Sequence, residues 1–101
     1  MKILSEKEKD LLKPIFWDID IDKLDVMKFK RYTIERIMQY GIIEHVSWML
    51  KNFENEDIKE TIRTSRIIDE RTANFWSIYY NVNRNEILCF TNQSVRSNSN
   101  F

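Results

Sequence analysis

Glycine and proline are nearly absent from this sequence, with one of each in 101 residues. Ordinary usage is roughly 7% and 5%. Sheet proteins spend both residues on tight turns, so the scarcity favours helices joined by Asn, Asp and Ser turns. Cys89 is the single cysteine, which excludes an intrachain disulfide and a cysteine-based zinc site. His45 is the single histidine, so a histidine-rich metal centre is excluded too. Net charge is absent, with 16 basic and 16 acidic residues. Global attraction to nucleic acid or to an anionic membrane is thereby removed, and any such contact must come from a local patch. No apolar run approaches the ~18 residues of a membrane span. The opening Met1-Lys2-Ile3-Leu4-Ser5-Glu6 turns charged at once, unlike a signal peptide. These absences set the expectation of a soluble cytoplasmic protein with no cofactor and no membrane contact.

Apolar residues make up 43% of the chain and aromatics 13%, enough to build one modest core at this length. Ser5 and Glu8 form a capping box opening a first helix. Pro14 disfavours helical geometry at Lys13 and ends that helix there; it also starts a short turn carrying Phe16 and Trp17. The alternating Asp and Ile of residues 18 to 22 read as an extended lead-in to an N-cap at Asp22 or Asp25. A second helix is expected over about Val26 to Tyr40. Its apolar face holds Val26, Phe29, Ile34, Ile37, Met38 and Tyr40; Lys28, Arg31, Glu35 and Gln39 lie opposite. Gly41 then sits where a left-handed residue would close it. A third helix covers about Ile43 to Phe53, with Ile43, Val46, Leu50 and Phe53 as its buried stripe. Asn55 caps a fourth, buried through Ile58 and Ile62. Asp69 caps a fifth, from about Glu70 to Tyr80. Thr72, Phe75, Trp76 and Tyr79 are its expected inner stripe, and Asn74, Ser77 and Asn81 its outer one. Asn83 caps a last short turn carrying Ile87 and Leu88. The expected fold is all-α: residues 1–90 form one compact bundle of about five helices, and 91–101 form a flexible Ser- and Asn-rich tail.

Candidate chemistry is sparse. Asp18, Asp20 and Asp22 open like a calcium loop, but the sixth and twelfth positions hold Lys23 and Phe29 where glycine and glutamate are needed. His45 lies opposite the apolar stripe of its helix, with Met49 one turn on, and reads as a surface histidine. Cys89, between Leu88 and Phe90, reads as a buried inert thiol. No nucleophile, base and orienting group converge, so an enzyme is not expected. Trp48 projects away from its helix's stripe, near Glu44 and Asn52. Either a neighbouring helix covers it or it anchors a partner. Trp48, His45 and Asn52 are the candidate partner contacts. The fourth and fifth helices could form a helix-turn-helix, although the connection lacks the customary glycine. Arg63, Arg66, Arg71 and Asn74 are the candidate DNA contacts, Arg71 suiting guanine and Asn74 adenine.

Two adjacent Phe-Trp pairs complete the pattern. Phe16-Trp17-Asp18, then Ile34-Glu35-Arg36-Ile37 leading to Tyr40-Gly41, then Ser65-Arg66 and Thr72-Ala73-Asn74-Phe75-Trp76, together resemble a family of small bacterial proteins of unknown function. The resemblance runs over roughly residues 10 to 80. That family is familiar as a short reading frame beside nucleotidyltransferase toxins of the AbiEii type. The resemblance implies an antitoxin or accessory subunit of a toxin–antitoxin or phage-defence module, with the toxin as its protein partner and no catalytic residues of its own. A helix-turn-helix regulator that binds DNA is the alternative. The two Phe-Trp pairs are expected to meet, or nearly meet, in one core.

Overall fold

A computed structural model describes residues 4–88 and residue 90. Five α-helices order the described chain: α1 (Glu6–Leu12), α2 (Lys30–Tyr40), α3 (Ile43–Asn52), α4 (Asn55–Thr64) and α5 (Glu70–Tyr79). Short 3-10 turns lie at Lys13–Ile15, Ile21–Lys23 and Arg84–Glu86. Helices α3 and α4 both pack on α2, α1 packs on α3, and α5 packs on α4. The expectations for Cys89 and for the tail at 91–101 lie outside the described residues.

Local chemistry explains most helix ends. Glu8 N–H donates to Ser5 Oγ at 3.2 Å and Ser5 N–H to Glu8 Oε1 at 3.0 Å, the reciprocal capping box. Pro14 stands inside the 3-10 turn that follows α1, where its missing N–H costs nothing. Asp20 Oδ1 accepts from Asp22 N–H at 3.0 Å. Asp25 Oδ1 accepts from the N–H groups of Met27 and Lys28. The segment from Val26 to Phe29 is therefore a capped turn, and α2 starts later than its periodicity suggested, at Lys30. Asn55 is the first residue of α4, with Glu54 before it as the N-cap. Asp69 Oδ1 takes the Thr72 N–H at 2.8 Å, and Asn83 Oδ1 the Asn85 N–H at 2.9 Å.

Gly41 does not end α2 in the left-handed region; its φ is −80° and its ψ 159°. Close approach is what requires glycine here. A Cβ at this position would stand 2.5 Å from the Ile37 carbonyl oxygen and 3.0 Å from His45 Cβ. The bare Cα lets the chain turn directly from α2 into α3.

One hydrophobic core joins the elements. Leu12, Ile15, Phe16, Val26, Ile34, Ile37, Met49, Ile58, Ile62, Ala73 and Ile87 are all at or below 1% exposure. Each large aliphatic side chain among them contributes about 1.5–3 kcal/mol on burial. Three faces differ from the periodicity reading. On the second helix and its lead-in, Glu35 is buried while Phe29 and Tyr40, expected on the apolar face, are 49% and 54% exposed. On α3 the buried residues are His45, Trp48 and Met49, continued by Phe53, whereas Ile43 is exposed and Val46 and Leu50 are half-buried. On α5 the buried residues are Ala73, Trp76 and Ser77, whereas Phe75 and Tyr79 are exposed and Thr72 is half-buried. Both α3 and α5 carry apolar residues most of the way round, so several stripes fit the sequence equally. The rotation on α5 follows from size: Ala73 and Ser77, one turn apart, leave room for neighbouring side chains. The Phe-Trp pairs consequently split. Phe16 and Trp76 are buried; Trp17 and Phe75 are exposed. The two buried rings share the core but through different partners, Phe16 with Tyr32 and Trp76 with Tyr79 and Tyr80.

Candidate functional site

Of the expected partner contacts, Trp48 and His45 are buried and Asn52 is half-buried, and all three are hydrogen-bonded within the protein. Trp48 is 6% exposed. Its Nε1 donates to Glu8 Oε2 at 2.6 Å, and its ring meets Phe53 edge-on at 5.7 Å. Glu8 thus serves the capping box with one oxygen and ties α1 to α3 with the other. His45 is corrected from a surface to a buried residue, at 5% exposure. Its Nδ1 accepts from Ile42 N–H at 2.9 Å, and its Nε2 lies 2.7 Å from the Leu11 carbonyl oxygen. That pattern needs the proton on Nε2. The helix N-terminus and the end of α1 are both satisfied by this one ring. Asn52 donates to the Trp48 carbonyl oxygen at 2.8 Å and finishes α3.

The exposed surface instead centres on α5. Phe75, Ile78 and Tyr79 are 58%, 73% and 56% exposed. They stand one helical turn or one residue apart and share a face. Their rings are not loose. Phe75 lies edge-on to buried Trp76 at 5.2 Å and stacks on Tyr79 at 6.3 Å with an interplanar angle of 15°. Tyr79 is edge-on to both Trp76 and Tyr80, at 5.3 and 5.0 Å. Aromatic contacts of this kind contribute about 0.5–1.5 kcal/mol each. They restrict the motion of the exposed rings. A polar rim flanks the patch. Arg84 Nη1 donates to Asn74 Oδ1 at 2.7 Å, and Glu70, Arg71, Asn74 and Arg84 line one shallow hollow.

A second exposed aromatic group lies over α2. Trp17 and Tyr40, 62% and 54% exposed, meet edge-on at 5.2 Å. The Arg36 guanidinium lies 4.3 Å from the Trp17 ring, with the rings of Phe16, Tyr32 and Tyr40 also within cation–π range. Arg36 donates twice to the Ile15 carbonyl oxygen, at 2.9 and 2.8 Å, and pairs with Asp18 at 2.8 Å. Asp18 is thereby spoken for by an arginine, Asp20 by its cap and Asp22 by Lys9 at 2.9 Å. Among the described residues no group of three or more His, Cys, Asp or Glu is arranged to hold a metal ion, and no helix is long and apolar enough to cross a membrane.

The candidate DNA contacts fall on α4, α5 and the connection at 65–69. Arg66, Arg71 and Asn74 are exposed. Arg63 is half-buried, and its Nε has no hydrogen-bond partner among the described residues. Ser65 organises the connection. Its Oγ donates to Glu35 Oε2 at 2.5 Å and accepts from the Ile67 and Ile68 N–H groups. Glu35, placed on the polar face of α2 by periodicity, is therefore buried at 6% exposure. No pattern within its own helix signals this, because the partner is thirty residues away.

Gln39 fastens the cap of α5 to α2. Its Nε2 donates to Asp69 Oδ2 at 2.9 Å and its Oε1 accepts from Asp69 N–H at 3.2 Å. The Thr72 backbone N–H, then the Gln39 amide, hold the Asp69 carboxyl below its ordinary value of 3.8. Lys9 does the same for Asp22. A carboxyl lowered in the folded state stabilises the fold above its unfolded value. That contribution is lost as pH falls through the folded value. The melting temperature should therefore drop as pH falls below 3.8. An Asp69→Asn variant keeps a capping oxygen but no titrating group, so its acid slope should be shallower; an unchanged slope rejects the assignment.

No curated protein and no solved structure matches the chain significantly. A family model matches residues 11–62, from the end of α1 to the last turn of α4. The first Phe-Trp pair, Arg36, Gly41 and Trp48 fall inside that stretch, and the Thr72–Trp76 motif with the rest of α5 falls outside it. Just over half of the chain is covered, and the protein belongs to this family of unknown function, DUF6922.

Proposed function

We propose that this chain is a non-enzymatic, cytoplasmic protein-binding domain, the antitoxin or accessory subunit of a bacterial toxin–antitoxin or phage-defence module. The observation that supports binding is the outward face of α5, where Phe75, Ile78 and Tyr79 are exposed and the two rings are held by one stacked and one edge-on contact. Rigid aromatic anchors with a polar rim of Glu70, Arg71, Asn74 and Arg84 have the anatomy of an interface hot spot. The partner, a nucleotidyltransferase toxin, comes from the sequence resemblance. Trp48, His45 and Asn52 have a different part in this proposal: they build the support beneath the surface.

Co-expression with the product of the adjacent reading frame tests it. The two proteins should co-purify, and toxicity should be relieved. A Phe75→Ala/Ile78→Ala variant should weaken the complex at least about tenfold, while its melting curve shifts little because both side chains are exposed. Migration as separate species with no relief of toxicity sinks the proposal.

The DNA-binding reading keeps one supporting observation, the convergence of Arg71, Asn74 and Arg84 on one hollow. Asn74 Oδ1 is already held by Arg84, and the face beside it is apolar, which favours a protein partner. A mobility shift on the chain's own promoter separates the two readings. DNA binding requires a shift that falls steeply with salt and is lost in Arg71→Ala/Asn74→Ala.

A further inference from the structure

Beside the connection at 65–69, Tyr32, Glu35, Arg36, Gln39, Tyr40 and Ile67 enclose a hollow of about 130 Å³. That is room for a few water molecules or the tip of one side chain. Its charged and amide side chains are committed inside the protein, with one exception. Gln39 is held by Asp69. Arg36 is held by Ile15 and Asp18, and Asp18 offsets its charge. Glu35 alone has no opposite charge. The residue is 6% exposed, and its carboxylate takes a hydrogen bond from Ser65, a neutral donor; no Lys or Arg among the described residues pairs with it. A buried carboxylate is costly unless a cation compensates it. Tyr40 and Ile67, 54% and 61% exposed, give the mouth an aromatic and an aliphatic wall, suited to the apolar body of a cationic side chain.

We propose that this hollow binds a cationic group, a guanidinium or an ammonium, which pairs with Glu35 and lies against Tyr40 and Ile67. The site does not depend on the face of α5, since none of its lining residues belongs to that helix. Two sources share this chemistry: an arginine or lysine side chain of a protein, and a free diamine.

Titration of the isotope-labelled full chain, followed by NMR, tests it. The probes are amide-capped arginine, putrescine and amide-capped citrulline as the neutral isostere. Saturable shifts at Gln39, Tyr40 and Ile67 are expected with the cations and not with citrulline. Tighter binding of capped arginine assigns the site to a protein side chain, and tighter binding of putrescine to a free diamine. Glu35→Gln keeps an acceptor for Ser65 and should weaken either cation roughly tenfold or more. Ile67→Lys, at an exposed position, places a cation at the mouth and should abolish binding without disturbing the fold. Phe75→Ala should leave it unchanged. Equal response to citrulline, absence of saturable shifts, or indifference to both Glu35→Gln and Ile67→Lys overturns the proposal.

Discussion

Replacing Trp48 by alanine should cost about 3–5 kcal/mol, the range for a large aromatic removed from a core, read as a lower midpoint in urea denaturation. The loss has three parts. The indole leaves a void between α1 and α3, where it is 6% exposed. Phe53 loses its edge-on neighbour at 5.7 Å. Glu8 Oε2 loses the Nε1 donor at 2.6 Å. Single domains have about 5–15 kcal/mol of stability in total, so the variant should sit near its unfolding threshold. Trp48→Phe separates the parts: it retains most of the ring volume and should recover about half of the loss, leaving the hydrogen bond, about 1.5–3 kcal/mol when the acceptor is charged. A partner-facing Trp48 predicts the opposite pattern, with unchanged stability and weakened binding.

Arg36→Ala should cost about 2–4 kcal/mol, from lost charge-assisted hydrogen bonds and stacking. The Ile15 carbonyl oxygen receives two donors from this guanidinium, and Asp18 receives its ion pair. The arginine side chain is 12% exposed, so solvent screens these contacts less than at an open surface. Its plane also supports Trp17 at 4.3 Å. Removing it leaves Trp17 only its edge-on contact with Tyr40 and takes from the 3-10 turn at Lys13–Ile15 its hydrogen bonds to α2. Arg36→Lys keeps the charge but loses the fork that spans Ile15 and Asp18, and should recover less than half of the loss. Denaturation midpoints measure the cost. Trp17 fluorescence in a Trp48→Phe/Trp76→Phe background reports the freed ring, and a spectrum unchanged by Arg36→Ala contradicts the stacking.

The parts of this fold that could be read in advance are those whose chemistry closes within a few residues. Ser5 with Glu8, Asp69 with Thr72 and Asn83 with Asn85 each satisfy backbone groups three residues away or nearer, and Pro14 restricts the residue before it. Their placement held. The single stripe of α4, Ile58 and Ile62, was equally legible because its other positions are polar. α3 and α5 were not legible in the same way. From Phe75 to Tyr80 only Ser77 is polar, so periodicity offers no preferred face, and the small residues Ala73 and Ser77 decided it by admitting neighbours. The candidate site inherited that ambiguity: periodicity turns Phe75 and Tyr79 inward and His45 outward, and leaves Trp48 open to either cover by a neighbouring helix or contact with a partner.

The sequence by itself determined a helical chain with these caps and breaks, because capping and proline geometry are local interactions. Tertiary structure alone decided which rings face outward. It also buried Glu35 against Ser65, thirty positions on, and seated His45 against Leu11, thirty-four positions back. Those choices depend on volumes and hydrogen-bond partners summed across helices distant in the chain. No window along one helix contains them, and the exposed face of α5 is their consequence.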